Sequence, residues 1–246
     1  MKTINNTVLI TGGGAGIGFQ TAKLLSEKGN HVIITGRNAG TLEKAAAQLK
    51  NVTPIVSDVS KEEDVLALVE KLKTSFPTLN VVINNAAAAE VYRLEAGVNA
   101  YDKASKEIHT NFLSVIRLNE LLLPLLEKQA EAAIVNVSSI VAIAPGVRLP
   151  GYAASKAALH SYTQVLRHTL SATSVKVFEL MPPLVNTEFS KEIGGENGMP
   201  PAGVAEALVD ALATDHYEIH VGNTADFYKL FLSSPAEAFT ILNAGR

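Results

Sequence analysis

Thr7-Val8-Leu9-Ile10-Thr11-Gly12-Gly13-Gly14-Ala15-Gly16-Ile17-Gly18-Phe19-Gln20-Thr21-Ala22-Lys23-Leu24-Leu25 carries the reading that decides the fold. Val8 to Thr11 is a short apolar run of the kind buried on both faces of a parallel sheet. The glycine-rich segment Gly12 to Gly18 follows, and from Phe19 onward apolar residues recur at helical spacing. Glycines let a bare backbone turn sharply and approach a pyrophosphate closely, while the free N–H groups and positive dipole end of the helix attract its charge. A tight turn alone would need no helix behind it. With a further strand-like run at His31-Val32-Ile33-Ile34-Thr35, the unit points to dinucleotide binding.

Outward from this unit, strand-like runs recur at 53–57, 80–84, 132–138, 175–180 and 217–221, with helical patterns between them. The alternation predicts an α/β fold: a single Rossmann-type, doubly wound domain whose seven-stranded, mainly parallel sheet carries helices on both faces. Right-handed crossovers would then gather the strand carboxyl ends around one crevice. One domain over 1–246 is expected, with a C-terminal extension from about 223.

Hydrophobic residues at 47% and charged residues at 18% exclude extensive disorder. The absence of cysteine excludes a disulfide scaffold, a thiolate nucleophile and a cysteine metal site. A net charge of -3 leaves no electrostatic footprint for nucleic acid or an anionic membrane. The chain enters its first strand at once, leaving no room for a signal peptide. Its most apolar segments, 118–126 and 134–147, fall short of the roughly 20 residues that span a bilayer. A cytoplasmic protein without a metal is expected.

Pro150-Gly151-Tyr152-Ala153-Ala154-Ser155-Lys156 places a phenol and an ammonium on one face of a predicted helix. Alone, that spacing is most often a surface packing pair. A free phenol titrates at about 10, so an enzyme that uses one needs a positive charge beside it, which Lys156 would supply. Upstream, the run 132–138 reads as a buried strand with Ser139 at its carboxyl end, where ligands of α/β folds bind. Ser138 is its rival, but alternation along a strand points the two apart.

These residues, together with TGGGAGIG at Thr11 to Gly18, Asp58, NNAA at Asn84 to Ala87, Asn111, and YAASK at Tyr152 to Lys156, resemble the short-chain dehydrogenase/reductase family along nearly the whole chain. Pro182-Pro183-Leu184-Val185-Asn186-Thr187 and the ending after Gly222 are similar to the DltE-like oxidoreductases. The resemblance implies an NAD(P)-dependent oxidoreductase acting on a CH–OH group, moving a hydride between nicotinamide and a carbonyl or alcohol carbon. It implies that Tyr152 donates the proton in the reducing direction, that Ser139 hydrogen-bonds the substrate oxygen, and that Lys156 lowers the phenol's pKa and holds the nicotinamide ribose. It also implies that Asn111 bends its helix and anchors a water relaying protons to Lys156. Cofactor contacts are implied for Gly12, Gly14, Gly16, Ile17, Gly18, Arg37, Asp58, Val59, Asn85, Ala86, Pro182, Val185 and Thr187, besides Tyr152 and Lys156. The chain departs from the family's glycines at Ala87 and Pro183; the latter removes an N–H where the carboxamide would be contacted.

The coenzyme can be argued from the second strand. An NAD site usually places an Asp or Glu about 20 residues past the glycines. Here Gly36 is followed by Arg37, whose guanidinium pairs with a 2′-phosphate that a carboxylate would repel. NADP is expected, with NAD the alternative; the bland reading of Arg37 is an exposed charge after a strand. The bland reading of Asp58 is a turn or helix cap, and that of Asn84 and Asn85 a strand ending.

The resemblance implies a small carbonyl or alcohol compound as substrate. Val141, Ile143, Ala144, Val147, Leu149, Leu184, Val185, Ile193 and Met199 would line an apolar pocket or else form core, and Arg148 would meet an acidic group or solvent. Residues 190–200 are expected to form a mobile loop. His109, His160 and His168 read as ordinary packing or solvent positions, His216 and His220 as surface residues, and Lys103, Lys106 and Glu107 as a solvated helix face. Segments 111–128 and 152–170 are apolar on more than one face, so a homodimer or homotetramer is expected. The apolar tail from Phe227 to Leu232 would cover the protein's own surface or build another interface. A non-catalytic nicotinamide sensor or scaffold is the alternative function; a sugar-nucleotide epimerase of the extended relatives is disfavoured by chain length and glycine spacing.

Overall fold

A computed structural model describes residues 1–245. Its seven strands are β1 (Thr7–Thr11), β2 (His31–Gly36), β3 (Val52–Val56), β4 (Leu79–Asn84), β5 (Ala132–Val137), β6 (Val175–Met181) and β7 (Glu218–His220). They form one sheet in the order β3-β2-β1-β4-β5-β6-β7, with every adjacent pair parallel. Helices α1 (Gly16–Glu27), α2 (Ala39–Ala46), α3 (Glu62–Ser75), α4 (Ala100–Ile108), α5 (Ser114–Leu126), α6 (Pro150–Thr169) and α7 (Pro201–Thr214) accompany the sheet, and α8 (Thr224–Ser233) and α9 (Pro235–Asn243) follow it.

Strand periodicity divides the core in two. Val8 and Ile10 of β1, Val32 and Ile34 of β2, and Ala133 and Val135 of β5 face a core closed by Leu25, Leu42 and Leu208 of α1, α2 and α7. The alternate residues Leu9, Ile33 and Ile134 face the other core, closed by Leu68 of α3 and by Leu118 and Leu122 of α5. Both faces being covered explains why the strands read as continuous apolar runs. Glu62, Glu63 and Asp64 in the first turn of α3 suit its positive dipole end, and Pro150 opens α6 where no N–H is missed.

Strand order reverses between β1 and β4, so a crevice opens at their carboxyl ends. The chain lines it at the glycine turn, at the ends of β2 and β3, in the segment after β4, in the segment from β5 to α6, and in the segment after β6.

Two segments take definite form here. Residues 190–200 are not a loop without structure: 3₁₀ turns span Glu188–Ile193 and Gly195–Asn197. Their neck is shut by Asn186 N to Met199 O at 2.9 Å and Met199 N to Leu184 O at 3.0 Å. The lack of helical period that suggested a loop reflects these short turns, whose side chains do not repeat on a 3.6-residue face. The tail, left open above, folds as α8 and α9 back onto its own chain, where Phe227 and Leu242 pack against Ile140, Val141 and Ala153.

Candidate active site

The glycine turn is shaped by contacts that exclude side chains. Gly12 has φ +65° and Gly16 φ +55°, a left-handed region costly for residues with a Cβ. A Cβ on Gly18 would strike Gly12 O and lie 2.6 Å from Asn85 Nδ2. Asn85 in turn bolts the turn to the end of β4, donating from Nδ2 to Thr11 O at 2.9 Å and to Gly12 O at 3.1 Å. Thr11 Oγ1 accepts from the N–H groups of Asn85 and Ala86, both at 3.0 Å. Asn84 points away into the core, bonding Asn119 Oδ1 and Asn136 Oδ1.

From this turn a cavity of about 590 Å³ runs past Arg37, Asp58 and Val59 on one side and to Ser139, Tyr152 and Lys156 on the other. Gly12, Gly16, Ile17, Asn85, Ala86, Pro182, Val185 and Thr187 also line it. Three expected residues do not. Gly14 faces Thr41 and Leu42 behind the turn, Gly18 sits beneath it, and Asn111 is buried behind the wall. Asp58 fits both readings: Oδ1 caps the backbone by accepting Ser60 N and Oγ, yet its side chain borders the cavity. Burial pushes its carboxyl up, but the Ser60 hydrogen bonds, with Arg37 and Lys61, outweigh burial and hold it below the usual value.

Asn111 lies in a single π-helical turn, His109–Leu113, between α4 and α5. Its amide clamps the wall segment after β4: Ala88 N donates to Oδ1 at 2.7 Å, and Nδ2 donates to Ala88 O at 2.8 Å and to Ser155 Oγ at 2.9 Å. The widened turn aims the amide there.

Ser138 and Ser139 do point apart. Ser138 Oγ donates to the buried Glu179 at 2.5 Å, whereas Ser139, two residues past the end of β5, interacts with the Tyr152 phenol. Burial pushes that phenol up to about 12; Ser139 pulls it down and Glu107 pushes it further up. Lys156 is not among the groups that shift it, which departs from the expected lowering. The ammonium instead donates to Val137 O at 2.7 Å, 5.5 Å from the Tyr152 ring centroid. Burial pulls Lys156 down to about 8, opposed by Glu179.

Of the apolar candidates, Val141, Leu149, Leu184, Val185 and Ile193 line the cavity, while Ile143, Ala144, Val147 and Met199 do not. Arg148 does not line it either; Nη2 reaches Glu192 O at 3.5 Å. Sequence reasoning missed Val91, Thr110, Phe189, Asn223 and Leu242. Phe189 is 6.0 Å from Tyr152 between ring centroids, and no periodic signal marks it. Glu107 departs from the solvated face expected of it: it is 1% exposed, accepts from Glu90 N at 2.9 Å, and has its other oxygen unpartnered beneath Gly151. His160, taken as ordinary, bonds Glu179.

A group of nicotinamide dinucleotide shape fits these residues. The turn leaves backbone exposed where a pyrophosphate would lie, and the cavity continues without a break from Arg37 to Tyr152.

The chain is similar to known proteins in sequence and in fold. Residues 6–198 match the family model described as short chain dehydrogenase. The chain is 42% identical over 205 residues to the uncharacterized oxidoreductase DltE of Bacillus subtilis, covering 83% of this chain and 81% of that protein. It is 30% identical to an uncharacterized oxidoreductase of Staphylococcus saprophyticus, covering 85% and 91%. Its fold is shared with a short chain dehydrogenase from Burkholderia cenocepacia in complex with NADP, at TM-score 0.87, 22% identity and full coverage of both chains. A short chain dehydrogenase/reductase from Burkholderia phymatum in complex with NAD superposes at TM-score 0.89, with 20% identity and coverage of 96% and 95%.

Proposed function

This chain belongs to the short-chain dehydrogenase family, and on that premise we propose that it is an NAD(P)-dependent oxidoreductase, NADPH-preferring, that interconverts a CH–OH group and a carbonyl. The observation that carries this reading is the meeting of Ser139, Tyr152 and Lys156 in the cavity that begins at the glycine turn. The NADP and NAD held by the two Burkholderia relatives support a nicotinamide cofactor, and Arg37 supports the 2′-phosphate.

In this reading residues 1–246 act as one domain. The glycine turn and the start of α1 receive the pyrophosphate, Arg37 the 2′-phosphate, and Asp58 and Val59 the adenine side. Asn85, Ala86, Pro182, Val185 and Thr187 border the nicotinamide half. Bound there, a reduced nicotinamide would supply a hydride. Ser139 donates a hydrogen bond to the substrate oxygen, which becomes negative as the carbonyl carbon gains the hydride. The Tyr152 phenol, protonated at neutral pH, gives its proton to that oxygen, and solvent restores it past Lys156. Asn111 holds the wall in place through Ala88. No helix among the described residues is long and apolar enough to cross a membrane; we assign the enzyme to the cytoplasm. Exposed Leu113 and Val165 support a homodimer or homotetramer.

The test is oxidation of NADPH, with NADH in parallel, against aldehydes, ketones and 3-oxoacyl thioesters. Turnover is expected with NADPH and lost in Tyr152→Phe, which retains coenzyme binding. Binding without turnover across the panel would favour a nicotinamide sensor; unchanged turnover in Tyr152→Phe would remove the phenol from the acid role.

A further inference from the structure

A buried carboxylate lies behind the lysine of the site. Glu179 of β6 is 0% exposed, and a carboxylate withdrawn from water persists only when paired and hydrogen-bonded. Both its oxygens are held. Ser138 Oγ donates to Oε1 at 2.5 Å, and His160 Nδ1 lies 3.0 Å from Oε1 and 2.8 Å from Oε2, so Nδ1 carries the hydrogen.

The backbone brings this pair to Lys156. In the β5–β6 register Asn136 is opposite Glu179 and Val137 opposite Leu180. The carbonyl that receives Lys156 Nζ is that of Val137, next in sequence to Ser138. His160 stands one turn beyond Lys156 on α6, on the same face. Helix α6 thus lays an ammonium and an imidazole over the same strand ends, with one carboxylate beneath them.

We propose that Glu179 is the buried counter-ion of Lys156: a positioning residue, held in place by Ser138 and His160, that keeps the ammonium charged beside Tyr152. The inference rests on the role proposed for Lys156 and names a group in no contact with substrate or coenzyme.

The surrounding charges leave Glu179 as the partner that matters. His160 is faced by Glu179 from β6, by Glu218 and His220 from β7, and by Arg167 from its own helix. Arg167 Nη1 pairs with Glu218 Oε1 at 2.9 Å, so those two largely cancel. The Glu179 hydrogen bond raises the His160 pKa, although burial lowers it. Burial lowers the Lys156 pKa, and the charge of Glu179 raises it. Below its pKa, protonated His160 shares the carboxylate's field with Lys156. Above it, the full negative charge falls on Lys156 and opposes the loss of its proton, which burial brings down to about pH 8.

The experiment is an NMR titration of the full chain labelled with ¹³C at lysine Cε, the Lys156 resonance being assigned by its loss in Lys156→Arg. In Glu179→Gln the Lys156 midpoint is expected to fall by about one pH unit or more. The double variant Glu179→Gln with His160→Gln removes the carboxylate together with the imidazole that pairs with it, so that only Lys156 is left without its partner, and the same fall is expected if the single variant does not fold. A midpoint unmoved within roughly 0.3 units in either folded variant overturns the proposal. A shift in a chain that turns over no substrate would retain the counter-ion and refute the oxidoreductase reading; turnover with an unmoved midpoint would do the reverse.

Discussion

Lys156 and Tyr152 share one face of α6, yet the ammonium bonds to the Val137 carbonyl at 2.7 Å and stands 5.5 Å from the phenol's ring centroid. The two groups are therefore displaced in protonation by burial rather than by each other: the phenol goes up to about 12, the ammonium down to about 8. Both shifts are consequences for stability as well as for chemistry.

In the unfolded chain Lys156 keeps its proton to about pH 10.5. Below about pH 8 both states carry the charge, and folding bears the full cost of burying it. Between these values the unfolded state binds more protons, so stability rises with pH. Across that window the wild type should gain about 3 kcal/mol that Lys156→Met does not. Urea melts of both proteins at a series of pH values measure the difference; parallel pH curves would refute the buried, depressed lysine.

Arg37 makes no hydrogen bond or ion pair that would hold it to the protein among the described residues, and it borders the cavity at the end of β2. Arg37→Gln should raise the Kd for NADPH about tenfold or more while leaving NADH within about twofold, since charge-assisted hydrogen bonds are worth about 1.5–3 kcal/mol. Titration of coenzyme fluorescence gives both constants. Equal losses for the two coenzymes would deny the 2′-phosphate contact.

Gly18→Ala forces a methyl against Gly12 O and the Asn85 amide. One of the Asn85 bonds to Thr11 or Gly12 must give way. A destabilisation of about 1–3 kcal/mol is expected, with weakened binding of both coenzymes. Thermal unfolding with and without coenzyme reads it, and a neutral variant would show that the turn adapts without cost.

Asn243 at the end of α9 grips the segment that precedes α6, accepting from Val147 N at 2.8 Å and donating to Pro145 O at 3.0 Å. Its neighbour Leu242 lines the cavity. Asn243→Ala removes two solvent-exposed bonds, together about 1 kcal/mol, and should raise substrate KM about fivefold while coenzyme Kd stays constant. A change in coenzyme Kd of the same size would place the tail's effect elsewhere.

Much of the architecture was legible in the chain because its signals are local. The apolar runs at β1, β2, β4 and β5 are continuous since both sheet faces are covered, and the glycines sit where backbone must bend within a few residues. Ser138 and Ser139, in extended backbone just past β5, point apart as alternation requires.

What the sequence determined by itself was therefore the order of elements and the crevice they surround, through short-range periodicity and turn chemistry. Only the tertiary structure decided the burial of Glu107 and Glu179, the partner of Lys156, the folding of 3₁₀ turns beside Thr187, and the return of Leu242 to the cavity wall. The burial of Glu107 and Glu179 and the return of Leu242 depend on contact between residues far apart in the chain. A charge on a helix or strand reads as solvated until the packing above it removes the water.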